Sequence, residues 1–477
     1  MKHWIWRSFF SLALLAQAAL AIDIDRKAPF LGNDEIDVSH YGLRMDFTDL
    51  DDSPVKVVAE LDVRALSDLN QLKLHTSQQS KIESVVLEGA ALPFTIVDGE
   101  SQSRILKVEL PKAVAKGAQF KLTVTLETDA FKRHLWRGHR MRNTESWPYK
   151  ARNWLPSNDS PQDPASFTIE MHVPAGTVAA ANGLLRGENY LQGEPDKENP
   201  NRRVFHWTQK QPIPTYGLNV VVGGDGFRPY VGRLSFDENG QRTSQEKAKF
   251  SVPVVYYDNG TLPAEIEESL QAYIFFTIHL GKSPYDKLGF VSAPHFSSME
   301  SPTLVTLISS QHVVHEIVHD WFGNGIQFRK WNDFWLSEGF TSYMTGFYSE
   351  VTTGRNTAKL DKVDKKTLNP AGAEADPLGQ FFGTSTPYYK GAAAVADFRR
   401  LLAQQLKVET GSEEERARFL SVLSKLYQER KDTPLSSEAF VEWARKDMAE
   451  YLATRYQADP QKTAEWVEEW KARWLKL

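Results

Sequence analysis

Two different spacings of apolar residues divide the chain near residue 230. Between about residues 55 and 224, apolar and β-branched residues alternate with polar ones in short runs separated by turn residues, most clearly at 55–63, 104–110, 120–126 and 167–173. A period of two predicts β-strands with one buried face. Asn219-Val-Val-Val-Gly-Gly-Asp-Gly reads as the last strand and a glycine-rich exit. The first half is therefore predicted to be an antiparallel sheet.

Beyond residue 230 the apolar spacing becomes that of amphipathic helices. Capping residues such as Thr433 or Ser436 precede several of these segments. The predicted helices are 264–280, 311–322, 334–351, 391–405, 413–429, 436–453 and 462–475. We therefore expect a multidomain α+β protein, with a β-rich domain at 22–229 and a mainly helical domain at 230–477.

The first 21 residues are predicted to be a secretory signal peptide. Lys2 and Arg7 precede a short apolar run that closes on the small residues of Ala19-Leu-Ala. The run is shorter than the roughly 20 residues that a membrane-spanning helix needs, so cleavage is favoured over an uncleaved anchor. The mature chain is expected to carry no membrane span and to be periplasmic or secreted.

Composition excludes several classes of function. The net charge of −5, which becomes −7 without Lys2 and Arg7, gives no attraction to phosphate backbones, so nucleic acid is not an expected partner. The chain has no cysteine, so a thiol cannot serve as nucleophile or metal ligand. Any metal must therefore be held by His, Asp or Glu.

A metal-binding pattern lies within the predicted helix 311–322. His315-Glu-Ile-Val-His places two imidazoles one helical turn apart on one face, where both can bind one zinc ion, with Glu316 beside them. Glu338 opens the next predicted helix and would complete a two-His, one-Glu set with an open coordination position. His312 shares the helical face of His315 and His319, so a three-His site is an alternative.

These segments resemble the M1 family of zinc metallopeptidases, which contains aminopeptidase N and leukotriene A4 hydrolase. The likeness rests on His315-Glu-Ile-Val-His-Asp-Trp-Phe-Gly-Asn and on Trp331-Asn-Asp-Phe-Trp-Leu-Ser-Glu-Gly-Phe. Pro387-Tyr-Tyr-Lys-Gly is similar to the family's Tyr-Glu-Lys-Gly segment, and Thr144-Glu-Ser-Trp-Pro-Tyr-Lys-Ala-Arg is similar to Thr-Gln-Cys-Glu-Pro-x-x-Ala-Arg. The resemblance implies a β-saddle domain followed by a thermolysin-like catalytic domain. A further helical domain, found in many members, is not expected.

The resemblance also implies roles for individual residues. One zinc ion per chain would be held by His315, His319 and Glu338, with Glu316 as general base toward the activated water. Tyr388 would stabilise the developing oxyanion, with its neighbour Tyr389 as the rival for that role. Glu300 would bind the free amino group of a peptide substrate.

The expected amine-binding motifs are altered in this chain. Ser297-Ser-Met-Glu-Ser stands where the family has Gly-x-Met-Glu-Asn, and Trp147 replaces an amine-binding acid or amide. An indole cannot balance the charge of an ammonium group. In an extended segment, Glu145 would share a face with Trp147 and could supply the missing carboxylate, with Trp147 adding a cation–π contact or an apolar wall.

The sequence therefore predicts a zinc-dependent aminopeptidase that hydrolyses amino-terminal peptide bonds. Because the amine-binding motifs are altered, the alternative is a zinc hydrolase acting on blocked, internal or modified peptides. A zinc- or peptide-binding module without turnover is the non-enzymatic alternative. The sequence does not determine the oligomeric state.

Overall fold

The first half of the chain folds into β-sheets. The computed structural model describes residues 32–98, 103–355 and 386–475, so the predicted signal peptide at 1–21 lies outside the described residues. The strands up to residue 223 are β1 (Ile36–Asp46), β2 (Val55–Ala65), β3 (Leu69–Ser77), β4 (Ser80–Leu87), β5 (Ala90–Ala91), β6 (Phe94–Asp98), β7 (Ser103–Val114), β8 (Gln119–Thr128), β9 (Lys132–Trp136), β10 (His139–Asn143), β11 (Ala165–Pro174), β12 (Val178–Ala181), β13 (Leu184–Leu185), β14 (Glu194–Pro195), β15 (Arg202–Ile213) and β16 (Val220–Gly223).

These strands form three sheets. The largest has nine strands in the order β13-β15-β11-β1-β2-β8-β4-β5, with β14 also on β15, and the others run β3-β7-β6 and β12-β16-β10-β9. The predicted antiparallel pairing is confirmed for most strands of this half, with the exception that β1 and β11 run parallel. The two strands are far apart in sequence, so no tight turn imposes an antiparallel direction on them.

Strand β1 was not predicted from the sequence. A bulge between Val38 and His40 shifts its register against β2, so the buried positions change from Ile36 and Val38 to Tyr41 and Leu43. A bulge adds one residue to one strand and breaks the alternation of period two. The apolar pattern of this segment therefore matches no regular template.

The second half combines a small sheet with helices. Its strands are β17 (Arg228–Phe236), β18 (Phe250–Asp258), β19 (Leu288–Ser292), β20 (Val305–Leu307), β21 (Phe322–Gly323) and β22 (Ile326–Gln327), and its helices are α1 (Ala264–Leu280), α2 (Val313–Val318), α3 (Phe334–Thr353), α4 (Gly391–Leu406), α5 (Glu413–Arg430), α6 (Ser437–Trp443), α7 (Ala449–Tyr456) and α8 (Pro460–Trp474). A π-helical turn, Ala444–Met448, joins α6 to α7. The predicted α+β class is confirmed, although the four-stranded sheet β17-β18-β19-β20 was not predicted.

One predicted helix is much shorter than expected. Helix α2 covers Val313–Val318 instead of 311–322, and a 3-10 turn, Ser310–His312, precedes it. The chain leaves the helix after His319 because β21 and β22 pair with each other across the turn at Asn324 and Gly325. The backbone N–H of His319 still donates to the carbonyl of His315 at 3.4 Å, so the helical spacing of the two histidines is kept.

The cores of the two halves meet across β18. Val254 and Tyr256 pack with the helices, whereas Val255 and Tyr257 belong to the core of the β-rich half. Period-two alternation sends successive side chains to opposite faces, so one strand contributes to both cores. The boundary at residue 230 stays a prediction. In the part of the chain that the structure describes, we find no helix with the length and apolar character of a membrane span.

Candidate metal and catalytic site

Three predicted metal ligands converge at the junction of α2 and α3. His315 Nε2 lies 3.2 Å from Glu338 Oε2 and 3.2 Å from His319 Nε2. The third separation, from His319 Nε2 to Glu338 Oε2, is 3.6 Å. His315 lies in α2 and His319 caps its carboxyl end, whereas Glu338 is the fifth residue of α3.

The spacing of these three atoms fits tetrahedral zinc. Zinc ligands lie about 2.0–2.1 Å from the metal, and at the tetrahedral angle this separates two ligand atoms by about 3.3 Å. The three observed separations of 3.2, 3.2 and 3.6 Å lie close to that value. Two imidazoles and one carboxylate are also a donor set that zinc prefers. The residues present therefore fit a zinc ion.

Contacts to Nδ1, on the side of the ring away from Glu338, fix the orientation of the His319 imidazole. Its Nδ1 lies 3.0 Å from the carbonyl oxygen of Phe322 and 3.2 Å from the Thr341 hydroxyl. Donation from Nδ1 to that carbonyl leaves the lone pair on Nε2, the atom that faces Glu338. Gly323, with φ of +102°, permits this packing because a Cβ there would lie 2.1 Å from Ser337 Oγ and 2.9 Å from His319 Nδ1.

Two further carboxylates are buried beside the ligands. Glu300 and Glu316 are 6% and 5% exposed, and each has an oxygen within 4.8 Å of the other's and of a His319 ring nitrogen. Glu316 Oε2 has no hydrogen-bond partner. Asn324 holds the Glu300 segment by donating from Nδ2 to the Glu300 carbonyl at 2.6 Å.

Burial and mutual repulsion perturb these acids. Burial raises the pKa of Glu300 to about 7, and burial together with neighbouring carboxylates raises the pKa of Glu316 well above its usual range. Burial opposes ionisation of Glu338, but His319 and His315 outweigh it and lower the pKa to about 2. Burial likewise disfavours the charged form of His319, yet the surrounding carboxylates raise its pKa to about 10. A metal cation held among these carboxylates would favour their ionised forms.

Tyr388 faces this group from a π-helical turn, Thr386–Lys390, that leads into α4. Its ring lies 6.3 Å from the ring of His315, and burial, the carboxylates and a hydrogen bond to Glu338 raise the pKa of its hydroxyl. A glycine pair sets this approach, since a Cβ on Gly339 would lie 2.6 Å from the Cα of Gly391. The ring contact with His315 and the hydrogen bond to Glu338 place Tyr388 at the site, although its side chain is 36% exposed and that of Tyr389 is 47% exposed.

The remaining predicted residues lie outside the ligand group. His312 is exposed in the 3-10 turn, and the clusters of possible metal ligands among the described residues contain Glu338 or Glu300 rather than His312. The three-His alternative is therefore wrong for the described structure. Glu145 is also absent from those clusters, and its carboxylate lies 2.7 Å from the Lys150 ammonium.

Trp147 is a core residue of the second half. It is 6% exposed, and its ring lies 5.0 Å from Tyr216, 5.2 Å from Trp331 and 5.1 Å from Phe334. Phe334 in turn packs edge-on against Tyr388 at 6.4 Å. The indole thus lies behind the site, in contact with the residues that support it. A direct contact between Trp147 and substrate stays a prediction.

Comparison with known proteins agrees with this geometry. The family described as the Peptidase M1 N-terminal domain matches residues 38–217, and the Peptidase family M1 domain matches residues 294–412, which contain the three ligands, Glu300, Glu316 and Tyr388. The chain belongs to peptidase family M1. Its M1 relatives include leukotriene A-4 hydrolase of Xenopus laevis, 24% identical over 64% of this chain and 50% of that protein. Aminopeptidase M1-A of Oryza sativa subsp. japonica is 26% identical, over a region that covers 56% of this chain and 31% of the length of that protein.

The M1 fold extends over nearly the whole chain. A variant of the M1 zinc metallopeptidase from Deinococcus radiodurans, bound to a Tyr-Ser-Ala substrate, superposes with a TM-score of 0.69 at 23% identity, over 95% of this chain and 98% of that one. By contrast, the chain spans about half or less of the length of the curated M1 relatives described above.

Sequence reasoning missed the residues that position the site. Thr341 lies three residues after Glu338, which is the helical spacing that places it on a neighbouring face, and this was an available signal. Gly339 and Gly391 were visible as glycines inside or beside predicted helices, a pattern that often marks close packing. Asn324 was visible as the last residue of the ten-residue segment that begins at His315 and resembles the family. Nothing in the pattern indicated its partner, the Glu300 carbonyl.

Proposed function

We propose that this protein is a zinc-dependent aminopeptidase that hydrolyses amino-terminal peptide bonds, with one zinc ion per chain. One observation carries the proposal: three ligand atoms within 3.6 Å of one another lie beside two further buried carboxylates, Glu300 and Glu316. His315, His319 and Glu338 would hold the ion. Bound there, zinc supplies Lewis acidity to the scissile carbonyl and to the attacking water.

Glu316 is suited to the role of general base. Its unpartnered Oε2 is free to accept a proton from the attacking water and to pass it to the leaving amine. The side chain is 5% exposed, so bulk water does not compete for that oxygen. The proton would therefore be held at Glu316 Oε2 between attack and departure of the leaving group.

Tyr388 is suited to oxyanion stabilisation. Burial and nearby carboxylates keep its hydroxyl protonated by raising its pKa, so the group remains a hydrogen-bond donor at neutral pH. A neutral donor gains interaction energy as negative charge develops in the transition state. Tyr389 provides a matched comparison, because it is the adjacent tyrosine and is exposed to a similar degree, 47% against 36% for Tyr388.

Tyr388→Phe and Tyr389→Phe together test this assignment. We expect Tyr388→Phe to lower kcat by about 100- to 1,000-fold with KM little changed, as for the loss of one oxyanion donor. Tyr389→Phe should change kcat by less than about threefold, as expected for an exposed side chain without a role in the reaction. The reverse ranking would assign the role to Tyr389.

Glu300 is the described residue best suited to bind the amino group of a substrate. Its carboxylate is buried beside Glu316 and His319, so an ammonium group there would pair with it in a water-poor setting. The proposed assistance from Glu145 is less supported, because Lys150 already occupies its carboxylate. Glu145→Gln is expected to leave KM for free-amino substrates unchanged, and a rise in KM would restore its role.

The second candidate is a zinc hydrolase that acts on blocked, internal or modified peptides. Burial of Trp147 among Tyr216, Trp331 and Phe334 favours it, because no charged group at that position supplements Glu300. A panel of aminoacyl amides, their N-acetylated forms and internally quenched peptides decides between the two. Cleavage of the free-amino series alone supports the aminopeptidase, whereas equal cleavage of acetylated substrates would favour the second candidate.

We also propose a periplasmic or secreted location with peptides as substrates. The charged and apolar pattern of residues 1–21 supports the location. Amino-terminal sequencing of the protein from its native host tests it, and a chain that retains Met1 would contradict it.

A further inference from the structure

A buried tyrosine of the β-rich half lies beside the segment that carries Glu300. Tyr216 belongs to the 3-10 turn between β15 and β16, and it is 4% exposed. This turn packs directly on the residues that follow Glu300, because a Cβ on Gly217 would lie 3.0 Å from Cδ of Pro302. Asn182 joins the two segments, since its Nδ2 donates to the Gly217 and Pro302 carbonyls at 3.0 and 2.5 Å. The turn and the Glu300 segment are therefore fixed relative to each other.

Aromatic contacts hold the Tyr216 ring in place. Its centroid lies 5.0 Å from that of Trp147, 5.4 Å from that of Trp331 and 5.6 Å from that of Phe328. A side chain packed among other rings has little room to move. The hydroxyl is therefore positioned before a substrate binds, and little side-chain freedom remains to be lost on binding.

The hydroxyl of Tyr216 lies within electrostatic reach of the carboxylate of Glu300. Burial raises the pKa of this hydroxyl well above its usual range, and the charge of Glu300 raises it further. The hydroxyl therefore keeps its proton at neutral pH. A protonated phenol can donate a hydrogen bond to a carboxylate and accept one from an ammonium group at the same time.

We propose that the Tyr216 hydroxyl is a second contact for the amino group of the substrate, beside Glu300, and compensates for the acid or amide that Trp147 replaces. The inference rests on the proposed function for the identity of the substrate. A neutral hydroxyl suits this place, because Glu300, Glu316 and Glu338 already bring three carboxylates into a buried group. A fourth would add a further desolvation cost, whereas a hydroxyl supplies an acceptor without a charge.

Kinetics of Tyr216→Phe test the contact, because this change removes the hydroxyl and keeps the ring. The hydroxyl would contact the amine rather than the scissile bond, so it stabilises bound substrate and transition state alike. We expect KM for an aminoacyl amide to rise by about 10- to 100-fold, as for the loss of a hydrogen bond to a charged group, with kcat changed by less than about threefold. A lower Tm with unchanged KM would assign Tyr216 a structural role only and overturn the proposal.

Tyr149→Phe is the matched control for this variant. Tyr149 packs on the same indole, with its centroid 5.0 Å from that of Trp331, and its buried hydroxyl has no hydrogen-bond partner among the described residues. Loss of an unpaired hydroxyl should change KM by less than about twofold. An equal rise of KM in both variants would indicate a general effect of altered packing and overturn the proposal.

Calorimetric titration of the zinc-loaded Glu316→Gln protein tests the same contact without turnover. Tyr216→Phe in this background should weaken binding of leucine amide by about 10- to 100-fold and leave binding of N-acetyl-leucine amide unchanged. An equal loss for both ligands, no loss for either, or no binding of leucine amide before the change overturns the proposal. If the wild-type protein cleaves no free-amino substrate but the amine-specific loss is measured, the proposed function fails while the contact stands.

Discussion

Trp147 is predicted to stabilise the second half of the protein rather than to recognise substrate. Its indole contacts three aromatic rings, Tyr216, Trp331 and Phe334, at centroid distances of 5.0 to 5.2 Å, and 6% of its surface is exposed. Trp331 lies in the 3-10 turn Trp331–Asp333 that leads into α3, and Phe334 is the first residue of α3, the helix that carries Glu338. Removal of the indole would therefore open a cavity under the metal site.

The expected cost of Trp147→Ala follows from this packing. Truncation of a buried tryptophan typically costs about 3–5 kcal/mol, from lost burial and from the cavity left behind. The three ring contacts account for part of this, since each aromatic pair contributes about 0.5–1.5 kcal/mol beyond its buried area. At about 2–4 °C per kcal/mol for a unit of some 250 residues, Tm should fall by roughly 6–20 °C.

Differential scanning calorimetry of zinc-loaded protein measures this effect. Leu135→Ala is the surface control, because Leu135 is 76% exposed, and it should shift Tm by less than about 2 °C. Metal content and KM for aminoacyl amides should be retained in the folded fraction of Trp147→Ala. A Tm unchanged from wild type combined with a raised KM would refute the reasoning and assign Trp147 to the substrate site.

The remaining predictions concern catalysis, metal and buried charges. Glu316→Gln should keep one zinc ion per chain while kcat falls by about 100- to 10,000-fold, and loss of the metal instead would contradict a role as base. Chelation should lower Tm and added zinc should restore it, because zinc at a free concentration about 1,000 times its Kd raises the free energy of unfolding by about 4 kcal/mol. A Tm that responds to neither treatment would contradict the ligand set. Arg399→Met should cost about 3–5 kcal/mol, because the Glu415 carboxylate it pairs with is buried, and a loss below about 1 kcal/mol would argue against that pair. Burial holds the pKa of Lys287 well below 10.5, so between the folded-state pKa and 10.5 the unfolded chain binds one more proton than the folded chain. The free energy of unfolding should therefore rise with pH in that range, by up to about 1.4 kcal/mol per pH unit. Lys287→Met should remove this slope in denaturation measured from about pH 7 to 9, and an unchanged slope would contradict the buried neutral lysine.

The two halves of the protein depend on each other for their cores. Trp147, from the β-rich half, packs with Phe334 of the second half, while Tyr257 of β18 packs in the core of the first. The Trp136 indole also donates from Nε1 to Ser292 Oγ at 3.0 Å, across the same junction. Substitutions at this junction are therefore expected to lower the stability of both halves.

Local sequence was sufficient to predict that the side chains of His315 and His319 converge. His315 and His319 are one helical turn apart, so their convergence depends on backbone geometry that a short segment already fixes. Strands and helices with regular apolar periods, such as 55–63 and 264–280, were predicted for the same reason. Strand β1 was missed because its bulge breaks the period, and the exit after His319 was missed because the β21–β22 pairing competes with the helix.

The sequence by itself determined the ligand types, their helical spacing and the alternation of strands and helices. Only the tertiary structure brings Glu300 and Glu338 to His319, because these carboxylates come from segments that are separate from the α2 turn. It also decided that Glu145 pairs with Lys150 and that Trp147 lies in a core. The physical reason is range: helical and strand periods arise from neighbouring residues, whereas burial and ion pairing depend on segments that meet only when the chain folds.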